Sequence, residues 1–253
     1  MRIELATRPG DPGRPNEDFV SAVLPALGLG GALVLLDGVT PPPSGDTGCT
    51  HGVSWYAARL GGALLERAVS RRDLTLQGCL ASAVARTAEA HRDLCDLGHR
   101  RTPQATVVVA RWDEERVEYL VLSDSVLLVE GADGEVTPVL DSRIAALAAL
   151  GPVTDAQRNA EDGFFTAAAD PSVVRRAVTG TLPRAGVRAL AALSDGAARW
   201  VEVFHEGGWA DCAALLAKGG PRTLIDRVRE LEHAAPAVPG KRHDDASAVY
   251  AEL

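Results

Sequence analysis

The amino-acid sequence predicts an α+β fold in which two sheets pack face to face and helices cover the outside. Three observations carry this. Short apolar runs bounded by turn residues recur along the chain, as buried strands do. Two long stretches between residues 53 and 97 instead space their apolar residues as helices do. Strands and helices do not alternate steadily over residues 104 to 130, as a doubly wound parallel sheet requires. No Pro/Gly/Ser-rich linker separates two complete halves, so residues 1–253 read as one domain.

The first predicted strand runs from Phe19 to Leu24, is interrupted by Pro25 and is followed by a turn at Gly28 to Gly31. Ala32 to Leu36 is a continuous apolar strand that ends at Asp37-Gly38. Thr40 to Thr50 holds too many breakers to be regular. Trp55, Leu60, Leu64, Leu65 and Val69 mark a helix over residues 53–70, and a second is expected over residues 76–97. Thr106 to Ala110, Val117 to Leu122 and Val126 to Val129 read as three strands, and Ile144 to Leu150 as a short helix. Residues 171–178 read as helical, with Pro171 suited to a first turn. Val187 to Leu193 is a strand ending at Ser194-Asp195-Gly196. Helices over residues 209–218 and 221–232 and a strand over residues 246–251 complete the chain.

Composition narrows the function. Apolar residues make up 46% of the chain but aromatics only 4%, so the core must be built from Ala, Val and Leu. The net charge of -8, with no Lys/Arg run longer than a pair, argues against a nucleic-acid binder. No apolar run is long enough to cross a bilayer, and the N-terminal residues lack the apolar core of an export signal. A cytoplasmic protein is therefore expected. Cys49, Cys79, Cys95 and Cys212 are widely spaced without a CxxC, so four free thiols are expected rather than a zinc cluster.

Carboxylates recur at strand ends. Asp37 follows an apolar run, as do Asp124 and Asp195, and Asp244 precedes one. Any single Asp-Gly at a strand end is most simply a turn. Several carboxylates converging on one cleft repel each other unless cations neutralise them, and hard divalent ions such as Mg²⁺ or Mn²⁺ suit an all-oxygen site. Gly38 and Gly196 would let backbone and water approach such ions. Glu17 and Asp18 adjoin a strand, where neighbouring side chains face opposite ways, so one of the two faces the site. Arg14 upstream is either a solvated loop arginine or a two-pronged phosphate ligand.

In order, the segments RPNED (Arg14 to Asp18), LLDGV (Leu35 to Val39), QATVVVA (Gln104 to Ala110), LSDSV (Leu122 to Val126), LSDGA (Leu193 to Ala197) and DDASAV (Asp244 to Val249) resemble the metal-dependent protein serine/threonine phosphatases of type 2C. The resemblance spans essentially the whole chain. It implies a four-layer α-β-β-α sandwich of two mainly antiparallel sheets. It also implies two Mn²⁺ or Mg²⁺ ions bridged by a water or hydroxide that attacks the phosphate directly. Carried over by position, Asp37 would bridge both metals and the Gly38 carbonyl would bind one. Asp195 and Asp244 would hold the other, and Asp18 or Glu17 would act directly or through water. Asp124 would fall where some members bind a third metal, and Arg14 would grip the phosphate.

The sequence also departs from the family pattern. Val39 stands where some members place a histidine, and His51 further on is either a general acid or a surface histidine at the helix start. Gln104-Ala105-Thr106 replaces the usual Gly-Thr-Thr, and Val126 replaces an arginine. Residues 151–170 are short for a flap over the active site. Cys49 has no base beside it in sequence and reads as structural.

The expected function is hydrolysis of phosphoserine and phosphothreonine in proteins. The same chemistry on a small phosphate ester, or a non-catalytic binding role, remains open. A haloacid-dehalogenase-type phosphatase is excluded, because Leu35 stands where that chemistry needs its nucleophilic Asp.

Overall fold

A computed structural model describes residues 1–26, 30–42, 45–237 and 241–253. Its centre is a pair of five-stranded sheets packed face to face, antiparallel throughout. One sheet has the order β2 (Phe19–Val23), β3 (Gly31–Leu36), β4 (Val107–Trp112), β5 (Arg116–Leu122), β8 (Val178–Pro183). The other has the order β1 (Arg2–Arg8), β10 (Ala246–Glu252), β9 (Val187–Leu193), β6 (Val126–Gly131), β7 (Val136–Val139).

Alternation along the central strands builds the layers. On β3, Leu33 and Leu35 point between the sheets, where they meet Val108, Leu127, Leu190 and Val249. Ala32, Val34 and Leu36 point the other way, onto α1 (Val53–Ser70) and α2 (Leu76–Glu89). On the second sheet, Leu128, Ala191 and Tyr250 face outward onto α4 (Asp195–Glu202) and α5 (Trp209–Ala234). A strand buried on both faces reads as a continuous apolar run, and both Leu33 and Leu35 are fully buried. Each such leucine stabilises the sandwich by about 1.5–3 kcal/mol. The result is the expected four-layer sandwich. A last short helix, α3 (Arg143–Leu150), follows β7, and its Leu150 is largely exposed.

Local chemistry fixes the helix ends. Thr75 caps α2 by accepting from the Gly78 N–H at 3.1 Å. Gly61 in α1 lies against the Phe19 ring, where a Cβ would collide with it. The two helices expected over residues 209–232 merge into α5, with a break at Gly220 (φ 76°) before Pro221.

Several expectations are corrected. Strands β1, β7 and β8 were not foreseen. All three lie at or beside sheet edges and carry charge, Pro or Gly instead of an apolar run. Residues 171–178 are a 3₁₀ turn (Pro171–Arg176) leading into β8 rather than one helix. Helix α4, which begins at Asp195 directly after Ser194, was not foreseen. α2 stops at Glu89 instead of reaching residue 97. Beyond it the polar residues Arg92, Asp93 and Asp96 wind into turns, and the Asp96 N–H donates to the Gly48 carbonyl at 2.6 Å. That turn brings Cys95 onto Cys49. The two form a disulfide where free thiols were expected, while Cys79 and Cys212 are free and buried. The expected turn at Gly28 to Gly31 falls partly outside the described residues. No described helix is long and apolar enough to cross a membrane.

Candidate metal centre

The carboxylates at the strand ends converge on one end of the sandwich. Asp37 leaves β3 and Asp195 begins α4 directly after β9. The Asp195 N–H donates to Asp37 Oδ2 at 3.3 Å, which ties one sheet to the other. Asp18 enters β2, and both of its carboxylate oxygens are buried near the Ser247 and Ser194 hydroxyls, with no well-formed hydrogen bond among the described residues. Asp124 sits in the β5–β6 turn. Asp244 leads into β10 and, with Asp124 and Asp195, lines a cleft of about 560 Å³.

The electrostatics follow from this crowding. Burial, then the charges of Asp195, Asp18 and Asp124, push the Asp37 carboxyl well above its usual range. Burial, reinforced by Asp195 and Asp245, raises Asp18 to about 8. Burial and then Asp244 and Asp124 raise Asp195 to about 7. Burial raises Asp124 as well. Like charges held this closely, with two orphaned oxygens among them, suit divalent cations. The donor set of Asp18, Asp37, Asp195 and Asp244 is all oxygen, as Mn²⁺ or Mg²⁺ requires.

The surrounding backbone holds these groups in place. The Asp37 N–H donates to Thr106 Oγ1 at 3.2 Å, and the Thr106 N–H donates to the Asp37 carbonyl at 2.9 Å. Gly38 pairs with Ala105, and a Cβ on Gly38 would strike the Glu17 carbonyl. A Cβ on Gly196 would strike the Asp245 carbonyl. Both glycines therefore let the segments carrying the other acidic residues approach, a packing duty that strand-end position alone does not reveal. Ser123, just before Asp124, has φ 72°, and its N–H donates to Asp141 Oδ2 at 3.0 Å. This strained turn aims Asp124 at the cleft.

Adjacent Glu17 and Asp18 separate as strand geometry requires. Asp18 turns in toward Asp37 and Asp195, while Glu17 Oε2 accepts from Thr40 Oγ1 at 2.5 Å. Arg14 is exposed at the rim and lines a shallow recess with Glu17, Lys241 and Asp244. His51 is directed elsewhere. Its Nδ1 lies 3.4 Å from Cys95 Sγ and its ring stacks on Trp55, so the structure does not bring it to the carboxylates.

Four residues not singled out in sequence also shape the site. Asp245 accepts from the Gly10 and Glu17 N–H groups at 2.8 and 2.6 Å, fastening the N-terminal segment. Lys241 Nζ donates to Asp244 Oδ1 at 2.8 Å. Glu202 lines the cleft, and its carboxyl is raised by burial and by Asp124. Glu232, fully buried, accepts from Arg199 and from Arg229 (2.7 Å) and lies 2.7 Å from His243 Nδ1. Those arginines in turn donate to main-chain carbonyls of the Asp244 loop: Arg199 to Lys241 at 2.9 Å and Arg229 to Asp244 at 2.5 Å. The Asp-Asp pair was a visible signal for Asp245. For Glu232, set well before the loop in sequence, there was none.

Comparison with known proteins identifies the fold and the family. A family model described as protein phosphatase 2C matches residues 11–218. No curated protein sequence matches the chain. Among solved structures, a bacterial serine phosphatase is 15% identical with a TM-score of 0.65, covering 100% of this chain and 98% of its own. The serine/threonine phosphatase Stp1 from Staphylococcus aureus is 16% identical with a TM-score of 0.65, covering 99% and 94%. The catalytic domain of the serine/threonine protein phosphatase PstP, in complex with two manganese ions, is 19% identical with a TM-score of 0.59, covering 99% and 97%. At these identities the structural likeness establishes the fold.

Proposed function

This chain belongs to the protein phosphatase 2C family, and from that footing we propose that it hydrolyses phosphoserine and phosphothreonine in proteins with two divalent cations, Mn²⁺ or Mg²⁺. The observation that carries the reading is Asp18. Its two oxygens are buried and unpartnered beside Asp37 and Asp195, an arrangement that favours a cation. Asp37, with the Gly38 carbonyl, would hold both ions, and Asp195, Asp244 and Asp18 would complete the set. Asp124, beside Glu202, would serve a third. Bound there, the cations would supply a water ionised near neutral pH and neutralise the phosphoryl oxygens.

The chain's own residues do the rest. Asp37 and Asp195, linked through the Asp195 N–H, fix the separation of the two sheets at the site. Thr106 and the Arg199–Glu232–Arg229 cluster hold Asp37 and Asp244 from behind. Arg14 offers two N–H groups to a phosphate at the rim. Residues 1–253 act as one catalytic unit in this reading. We place it in the cytoplasm, a reducing compartment that keeps Cys79 and Cys212 as thiols and opens the Cys49–Cys95 disulfide.

The test measures release of phosphate from phosphoserine peptides and from a generic aryl phosphate, with Mn²⁺, Mg²⁺ or chelator. Turnover of both substrates that needs the metal and vanishes in Asp37→Asn is expected. Activity confined to small esters would overturn the protein-substrate reading, and inactivity with every divalent ion would overturn the enzymatic one.

A further inference from the structure

The loop that leaves the carboxylate cleft at Thr40 ends in a second set of ligating side chains. Cys49 and His51 there meet His91 and Cys95, which lie in the turns after α2. One ligand atom from each of the four lies within 4.8 Å of the others. Nδ1 of His51 is 3.7 Å from Cys49 Sγ and 3.4 Å from Cys95 Sγ, and Nδ1 of His91 is 3.4 Å from Cys49 Sγ. A tetrahedral zinc, with bonds of about 2.3 Å to sulfur and about 2.0 Å to nitrogen, sets sulfur–nitrogen edges of roughly 3.5 Å. The three observed separations bracket that value.

The surroundings support the same occupant. His91 is buried, and its Nδ1 faces the cluster through Cys49 Sγ. The His51 N–H donates to Cys49 Sγ at 3.4 Å, a bond that favours a thiolate there. Trp55 covers His51, with ring centroids 4.1 Å apart, and keeps water from that side. Two sulfurs and two imidazoles are a soft, tetrahedral donor set that suits zinc and not the hard ions of the carboxylate cleft.

We propose that, in the reduced protein, Cys49, His51, His91 and Cys95 bind one zinc ion. The disulfide and the zinc site exclude one another, because the same two sulfurs serve either bond. In the interchange, an external dithiol gives two electrons and two protons to the Cys49–Cys95 disulfide and itself becomes a disulfide. Zinc then displaces the two thiol protons, and two thiolates with two neutral imidazoles balance its charge. The ion would pin the far end of the Thr40–His51 loop to the turn after α2. This inference stands apart from the phosphatase reading, and its test needs no activity.

Protein purified under a phosphine reductant, with excess Mn²⁺ to fill the carboxylate cleft, is assayed for zinc by elemental analysis and separately titrated with Co²⁺. The expected result is one zinc per chain and a cobalt form with tetrahedral ligand-field bands and a thiolate charge-transfer band. Both signals should vanish in Cys49→Ser and Cys95→Ser, and in wild type oxidised to the disulfide. Reduced wild type that takes up neither metal with thiolate ligation overturns the proposal. So does zinc that persists at one per chain in a folded Cys95→Ser variant. If the serine variants fail to fold, the wild-type cobalt spectrum decides: a thiolate band supports the site and its absence rejects it.

Discussion

The two clusters joined by the Thr40–His51 loop are built in opposite ways. The carboxylate cluster is assembled from strand ends, where Asp18, Asp37, Asp195 and Asp244 are brought together by the register of two sheets. It is strained without cations, since its groups repel one another and Asp18 lacks partners. The Cys/His cluster is assembled from a loop and a post-helical turn, and without metal its sulfurs satisfy each other. In the proposed readings the first gains electrostatic relief from an ion, whereas the second exchanges a disulfide for a metal. A rigid scaffold can hold repelling charges that a loop cannot.

The sharpest way to break this comparison is to remove one cluster and read the other. Asp37→Asn should lower phosphate release by at least about 10³-fold, the scale of several kcal/mol of lost charge stabilisation. Zinc content by elemental analysis should be unchanged. If the substitution emptied the Cys/His cluster as well, the two would not be independent.

Next in size is Glu232→Ala, which leaves Arg199 and Arg229 buried without their carboxylate. It should cost about 3–5 kcal/mol. The melting temperature should fall by roughly 10 °C, with more Mn²⁺ needed for half-maximal activity because the Asp244 loop loosens. Scanning calorimetry and a metal titration measure the two effects.

Arg14→Ala should be milder. Losing one charge-assisted contact at an exposed rim should raise the KM for a phosphopeptide about tenfold with little change in kcat, read from steady-state kinetics.

The last effect is on the metal-free protein. Asp18 and Asp195 are raised to about 8 and about 7, so the folded state holds protons that the unfolded chain releases near pH 4. Stability of the metal-free form should fall as pH rises from the unfolded carboxylate range toward 8, read as a falling melting temperature. Mn²⁺, which displaces those protons, should flatten the trend. A metal-free melting temperature that rose over that window would contradict the packing of the carboxylates.

The same contrast explains what the sequence revealed. Leu33 and Leu35 face one layer and Val34 and Leu36 another, so an unbroken apolar run announced a doubly covered strand and Asp37 stood plainly at its end. Strand β1 carries Arg2, Glu4 and Arg8, strand β7 carries Pro138, and β8 carries Gly180 and Pro183. These suit sheet edges, where the apolar signal fades. The clustered carboxylates were legible because each sits at a strand boundary. Cys49 and Cys95 were not, because 46 residues and a helix pair separate them. His51 was read with the wrong neighbours for the same reason. Loop position cannot be inferred from periodicity, and its partners come from the turn after α2.

One detail of the Asp244 loop bears on how such a protein can change over time. Arg199 and Arg229 reach it through the carbonyl groups of Lys241, Arg242 and Asp244. Carbonyls are the same in every residue, so the grip does not depend on which side chains the loop carries. Lys241 and Arg242 are exposed, and Lys241 lines the mouth of the cleft. The main-chain grip on Asp244 would therefore outlast a change of either side chain, although a change at Lys241 would also remove its ion pair with Asp244.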